Sequence, residues 1–520
     1  MKRFIPAWYS AHQWWESQAE PFYRKRSITE FDDLISLMAM HQKNHYDFEM
    51  MILNYSPHLR TFLHRHGLFE SVYWSVFDEI QGFTHQPPQS IDYRQLNWPE
   101  GTEFIYMPYL IRAITPTNHY FNIYFSQEGY LIWIEEIENQ MKCRRYVFDD
   151  RGFLSSVLYY NAQGAPQLLR YMTQDGDWIL EEDLVRGEVA VHDKYGVHFL
   201  QRHYTSMSEV IQEHLGYYRD RTINDFDEVI IAADVRHNSL ITHTFKTQRL
   251  CFSLFQQRNL GMTERDLQTL EAGQCWLVDT RENERMLENY KATFNLTNRL
   301  MRITPFDAQV MPNRSNQLHE TYVGLWVDGL SDAQLKRLLS QLVHYMEQHE
   351  EVRLVLLTEL ENAHISQWLL NEISTINDCF NHKKDIPEEL VDLMKAVEEV
   401  VYIELKRVPF ELDIVEAIAT LRMMIDLSEE PDLFLQICCL GAGLPQINSA
   451  ITDYVQQGAN GLVIDSEQAL IPALDYFLAH LKHWNHSYAY SQKLAKKYAS
   501  KKIIEQLNQL IEGGQYGSHI

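Results

Sequence analysis

Glu430 stands eight residues before Cys438 and thirteen before Gly443, in the stretch 426–465 that reads DLSEEPDLFLQICCLGAGLPQINSAITDYVQQGANGLVID. The apolar run 433–440 recurs at helical spacing, so Glu430 falls where a helix should begin. Gly443-Leu444-Pro445 should end that helix, since glycine accepts positive φ at a C-cap and proline cannot continue. Gln446-Ile447-Asn448 then reads as a short strand, and residues 458–461 turn the chain into another, Leu462-Val463-Ile464. The chemistry open to such a unit is phosphate binding. A helix N-terminus offers free N–H groups and a positive dipole end, and glycines let the phosphate come close. This one begins Glu430-Pro431-Asp432-Leu433, without a glycine. Pro431 removes a donor and Asp432 repels a diphosphate. A plain α/β domain that never bound a nucleotide can show the same succession of elements.

The pattern resembles the donor-sugar half of retaining glycosyltransferases of the GT-B fold. In those enzymes two glutamates bracket seven residues ahead of a Gly-Leu-Pro-like turn. The resemblance places Glu430 at the first glutamate and Cys438 at the second, and Gly443 in the turn. One acid is kept and one is replaced by a thiol.

A second segment continues the comparison. Residues 322–327 read as a strand, 332–348 as a helix capped by Ser331 or Asp328, and 352–357 as the next strand. Leu335, Leu338, Leu339, Leu342, Val343 and Met346 share one face of the helix. The donor half of the GT-B enzymes carries here a Val-Gly-Arg-Leu-Ser-like segment, with a lysine three residues after the serine. Val327, Leu330 and Ser331 fit. The glycine position is Asp328, the arginine position is Gly329 and the lysine position is Gln334. Two cations are absent and one anion is gained. Each charge-assisted hydrogen bond to a phosphate contributes about 1.5–3 kcal/mol, so the expected cleft is vestigial.

The rest of the chain bounds what surrounds these residues. Its 520 residues allow two or three domains. The formal charge of -25, from 46 basic and 71 acidic side chains, argues against nucleic-acid binding. MKRFIPAWYS has no apolar signal core, and no stretch approaches the length of a membrane helix. The six cysteines show no spaced framework, which suits a reduced, cytosolic protein, and Cys438 and Cys439 read as buried free thiols. No metal-ligand spacing stands out. His64 and His66 lie about 200° apart on a helix and cannot share a ligand.

Residues 4–8 read as a first strand, with Trp14, Trp15, Phe22 and Tyr23 as aromatic packing. A helix is expected over 28–41, capped by Thr29 or Ser27, with Phe31, Leu34, Ile35, Leu37 and Met38 inward. A buried strand over 50–55 and a helix over 59–66 follow. The chain has no glycine before Gly67, so the phosphate turn expected after a first nucleotide-binding strand is missing. From 104 to 204 short aromatic and β-branched runs alternate with turns at Gly129, Gly152, Gly164, Gly176 and Gly196, which predicts an antiparallel meander. A helix over 207–215 and a strand over 226–233 restore the α/β layer. Strand then helix are expected over 248–270, a strand over 275–279 and a helix over 282–290. A single helix is expected over 488–510, carrying Lys493, Lys496, Lys497, Lys501 and Lys502, either as a solvated face or as a patch for anionic lipid or an acidic partner.

The opening FIPAWYSAHQWW, the FDDLI that follows, the inserted meander and the uncharged donor half together resemble the first accessory secretory protein family of the accessory Sec system of Gram-positive bacteria. The resemblance implies an α/β, GT-B-like fold: two Rossmann-like domains with the meander inserted in the first. The expected divisions are 1–103 with 205–250, the insert 104–204, a second domain 251–480 and a crossing helix 481–520. It implies a non-catalytic, cytoplasmic adaptor, peripheral to the membrane at most, with no cofactor. The implied partners are the second and third accessory secretory proteins, the dedicated Sec motor ATPase and a glycosylated serine-rich repeat adhesin. Two alternatives stay open: an active retaining glycosyltransferase using Glu430, and a carbohydrate- or peptide-binding module using Tyr124, Trp133, Tyr159, Tyr160 and Trp178.

Overall fold

The computed structural model describes residues 1–10, 13–15, 20–23, 32–83, 85–117, 119–382 and 400–513. The chain forms two compact units. Among the described residues the first comprises 1–23, 32–305 and 506–513, and the second comprises Phe306–Glu505.

The first unit is built on seven parallel strands in the order Arg299–Arg302, Cys275–Val278, Arg249–Leu254, Glu228–Ala232, Lys2–Ile5, Phe48–Ile52 and Val72–Ser75. The central strands are buried on both faces, as parallel strands covered by helices must be. The first strand stops at Ile5, where 4–8 was expected, because Pro6 has no N–H to continue the ladder. The first described helix is Asp33–Lys43, capped by Asp32, whose side chain accepts from the Leu34 N–H at 2.9 Å. The caps expected at Ser27 or Thr29, and the inward Phe31, lie outside the described residues. The division expected at residue 250 is corrected by strand pairing. Arg249–Leu254 pairs with Glu228–Ala232, and two further strands extend the same sheet, so the first unit runs to Pro305. A doubly wound unit repeats strand and helix without punctuation, so nothing local marks where it stops.

Between Val72–Ser75 and Met207–Thr222 the chain makes ten antiparallel strands, from Glu103–Tyr106 to His203–Tyr204, paired in sequence order. The glycine turns hold at Gly129, Gly152, Gly164 and Gly176, each with φ between 75° and 90°. The turn expected at Gly196 is instead part of the short 3-10 helix Asp193–His198. The hairpin between Leu131–Glu138 and Met141–Phe148 turns without glycine: Asn139 and Gln140 take φ of 50° and 66°. Part of the sheet shares its core with the parallel strands, where Tyr171 and Leu180 pack in one cluster with Phe77, Tyr55 and Met51.

Two buried arginines fasten the insert. Arg60, on the helix Leu59–Arg65, donates to Asp150 Oδ1 at 2.5 Å and Asp149 Oδ2 at 2.8 Å. Arg151 donates to Asp149 Oδ1 at 2.7 Å and Asp78 Oδ1 at 2.7 Å. Their side chains are 1% and 0% exposed, so the pairs are dry and every charge needs its partner.

The second unit holds six parallel strands in the order Ile403–Arg407, Val352–Thr358, Thr321–Trp326, Leu421–Asp426, Gln446–Asn448 and Gly461–Val463. Helix Asp332–Gln348 turns Leu335, Leu338, Leu339, Leu342 and Met346 inward. The single helix expected over 488–510 is two, Leu481–Ala495 and Ser500–Glu512. Ala499 is extended between them, and Asp307 accepts from the Ser500 N–H at 2.8 Å. Lys493, Lys496, Lys497, Lys501 and Lys502 are all exposed. No described helix is long and apolar enough to cross a membrane.

The Arg151→Met variant should lose about 3–5 kcal/mol of stability, the cost of stranding buried carboxylates. Urea unfolding followed by tryptophan fluorescence measures it, and a loss under about 0.5 kcal/mol contradicts the assignment.

Candidate vestigial donor site

Three of the residues singled out in the second unit, Asp328, Gly329 and Glu430, lie at the carboxyl edge of its sheet. Asp328 follows the strand Thr321–Trp326. Its Oδ1 accepts from Thr358 Oγ1 at 2.5 Å and its Oδ2 from the Glu359 N–H at 2.7 Å. Gly329 has φ of 77°, and a Cβ there would lie 3.1 Å from Ser428 Cβ. An arginine at this position would have to adopt a left-handed backbone and crowd Ser428, so the missing cation is excluded by the chain path.

Ser331 is the helix cap, which settles the choice between it and Asp328. Gln334 closes a capping box: its Oε1 accepts from the Ser331 N–H at 3.0 Å, while Ser331 Oγ accepts from the Gln334 N–H. The residue at the expected lysine position therefore serves the helix end itself. Two of the N–H groups at this helix end, those of Ser331 and Gln334, are already taken.

The helix expected to begin at Glu430 begins at Leu433, and Asp432 caps it, accepting from the Leu435 N–H at 2.6 Å. A carboxylate caps by reaching two or three residues forward, and Pro431 blocks an earlier start. Glu430 is exposed, and its carboxylate takes no hydrogen bond or ion pair from the described residues. Cys438 lies two turns on, 1% exposed among Trp326, Leu357 and Leu435. Burial pushes its thiol well above the ordinary range, so it is a neutral core residue. Cys439 is fully buried beside it. Gly443 has φ of 73° at the C-cap, and a Cβ there would meet Tyr488 at 2.3 Å. The fold thus brings Asp328, Gly329 and Glu430 to one edge. Gln334 is spent on a cap, and Cys438 and Gly443 are packed away from it.

Reading the motif alone misses the feature that dominates this edge. Asp328, Glu359, Asp426 and Asp432 converge there from four segments. Burial raises the carboxyl of Glu359 to about 7, helped by Asp432 and Asp328. Burial raises Asp426 to about 6, with Asp432 adding to the rise. Asp328 and Asp432 are raised by burial too. Among the described residues no lysine or arginine forms an ion pair with any of the four. Asp426 is satisfied locally, accepting from Ser428 Oγ at 2.5 Å and from the Asp432 N–H at 3.2 Å. The signal was present: an acid ends or follows each of three strands, at Asp328, Glu359 and Asp426. Among the described residues no group of three or more such side chains is placed to hold a metal.

The carboxyl edge of the first sheet is filled as well. Tyr9 OH donates to His237 Nδ1 at 2.5 Å, and His237 Nε2 donates to the Ala232 carbonyl at 2.8 Å. Burial lowers His237 to about 4, so the ring is neutral. The Tyr9 and Trp14 rings pack on it at 5.3 and 6.4 Å. Bulky aromatics occupy the turn where a phosphate loop would need glycine. On the meander, Arg170 lies over both Tyr159 and Trp178, at 5.2 and 5.3 Å, and Arg145 over Trp133 at 5.0 Å. Guanidinium groups already cover ring faces that a sugar would use.

Residues 1–513 match the family model for accessory Sec system protein 1, the first of the Asp proteins. The chain belongs to that family. It is 44% identical to the accessory Sec system protein of this type from Staphylococcus aureus (strain NCTC 8325 / PS 47) over 513 residues, 99% of each chain. Among solved structures it is similar to a chain of the Gap123 (Glycosylation Associate Protein) complex of Streptococcus agalactiae, with TM-score 0.79 and 28% identity over 98% of this chain and 100% of that one. It is equally similar, at TM-score 0.79 and 27% identity over 99% of both, to a chain in the structure of accessory secretory protein 1, 2 and 3 of Streptococcus pneumoniae. The pneumococcal O-GlcNAc transferase GtfA in complex with UDP and GlcNAc shares the fold at TM-score 0.68, with 12% identity over 99% of both chains. The architecture is therefore that of GT-B glycosyltransferases, with the meander inserted in the first α/β unit.

Glu359→Gln tests the crowded edge. A carboxyl raised from 4.5 to about 7 binds its proton more tightly in the folded chain. Its contribution to stability is complete below pH 4.5 and is lost as pH rises through 7. The variant lacks that loss. Its Tm should exceed that of the parent by about 2 °C near pH 8 and match it near pH 5. Equal differences at both pH values count against the electrostatic account.

Proposed function

We propose that this chain is a non-catalytic scaffold that keeps a glycosyltransferase architecture and has given up nucleotide-sugar binding. The observation that supports it most is the row of Asp328, Glu359, Asp426 and Asp432, without a countercharge among the described residues, at the edge where a donor diphosphate would lie. A diphosphate brought there meets like charges in a partly desolvated setting, and loses the cationic hydrogen bonds that hold such groups elsewhere. Gly329 and Gln334 strengthen the reading, because backbone and cap geometry commit both to other work.

The solved relatives named above were determined as complexes, one of them of accessory secretory proteins 1, 2 and 3. We infer the same kind of assembly for this chain, with second and third accessory secretory proteins as its partners. In that assembly it works at the cytoplasmic face, helping to modify a glycosylated serine-rich repeat adhesin and bring it to the dedicated Sec motor ATPase. Its exposed lysines, Lys493, Lys496, Lys497, Lys501 and Lys502, would meet an anionic membrane surface there.

Titration calorimetry with UDP-GlcNAc and UDP-glucose should show no binding tighter than about 1 mM. Co-expression should return a complex of all three proteins. Sub-millimolar donor binding, or sugar transfer abolished by Glu430→Gln, would establish an active transferase instead.

A further inference from the structure

The second sheet carries the opposite charge pattern at its other edge. Arg422 is the second residue of Leu421–Asp426, the strand whose far end is Asp426. Pairing with the neighbouring strand shifts there: Tyr322 faces Leu421 and Val323 faces Met423, so Arg422 is the extra residue of a bulge. Bulges re-aim side chains and recur beside functional sites. The guanidinium lies 3.9 Å over the Trp484 ring, and Trp484 Nε1 donates to the Arg422 carbonyl at 2.8 Å. Nη1 donates to Asn316 Oδ1. No carboxylate of the described residues forms an ion pair with it. Burial lowers its pKa.

This arginine opens into a cavity of about 300 Å³. Thr321, Tyr345 and His349 line it together with Ser315, and Leu478 forms part of an apolar wall. Tyr345 and His349 are stacked, with ring centroids 4.2 Å apart, and Tyr345 OH is held by Asp475 at 3.0 Å, so this wall is ordered by its own contacts. Glu351 also borders the cavity, 3.9 Å from His349 Nδ1. A half-buried cation without an anionic partner is costly, and a guanidinium fork is the group that best grips a planar or tetrahedral oxyanion in two-point fashion. The volume is at the small end for ligand sites and equals roughly ten waters at ~30 Å³ each.

We propose that this cavity binds a small oxyanion, a phosphate monoester or a carboxylate, gripped by Arg422 with the Thr321 hydroxyl and the His349 imidazole as further donors. The ligand's remaining atoms lie along the Leu478 wall. The site is separate from the donor edge, about 13 Å away along one strand at ~3.3 Å per residue. It stands whether or not the scaffold reading does.

Calorimetry on the full chain tests it with inorganic phosphate and with succinate, at ionic strength held constant by chloride. One of the two should bind saturably. Arg422→Gln should weaken that binding about tenfold or more, and Arg422→Lys should weaken it less, keeping charge and losing the fork. Lys336→Gln, an exposed lysine at the other end of the helix that carries Tyr345, should leave it unchanged. If Arg422→Gln fails to fold, His349→Ala alters the same cavity and should weaken binding. Phosphate as the preferred anion supports a phosphate ester, and succinate supports a carboxylate. No saturable response to either anion, or a response unaltered by both cavity variants, overturns the proposal.

Discussion

A parallel sheet must be covered on both faces, and that obligation leaves its carboxyl edge as the place where side chains from several strands can meet a ligand. Both α/β units of this chain obey it. Strands such as Glu228–Ala232 and Val352–Thr358 are apolar and buried throughout, so they can contribute chemistry only at their ends. What fills those ends decides what each unit can do. In the first, Tyr9, Trp14 and His237 close the edge with rings. In the second, four carboxylates line it.

The contrast with a working donor site is one of sign as well as of missing groups. Loss of two cations would leave a weak site. On the proposed reading Asp328, Glu359, Asp426 and Asp432 make a repulsive one, and the folded state carries that cost itself, visible in carboxyls raised by burial and by one another. A chain that keeps such a cost while keeping the whole architecture has a use for the architecture. The buried lattice of Arg60 and Arg151 points the same way, since it fixes the inserted sheet to the first unit through five charged groups with no chemistry to perform. Rigid attachment suits a surface that other proteins must recognise.

Much of this was legible in local sequence, and the reasons are local. The helix over 332–348 needs only apolar residues at helical spacing, while the choice of Ser331 over Asp328 as its cap came from the structure. The glycine turns at 129, 152, 164 and 176 need only a positive φ that a side chain resists. Errors came where a distant residue decides. Ala499 breaks the expected helix because Asp307, far back in the chain, caps a new one at Ser500. A turn without glycine also escapes the local signal: at Asn139 and Gln140 two other residues take the left-handed conformation. The first unit runs on past residue 250 because three more strands find partners in a sheet already begun.

By itself the sequence determined which residues are absent: no early glycine, no arginine at 329, no lysine at 334, no second glutamate at 438. Absence at a motif position is a local fact and can be read directly. Only the tertiary structure decided what stands there instead. Strand order puts Thr321–Trp326 between Val352–Thr358 and Leu421–Asp426, and so draws together carboxylates about a hundred residues apart, from Asp328 to Asp432. Electrostatic repulsion depends on distance through space, and chain separation does not encode it.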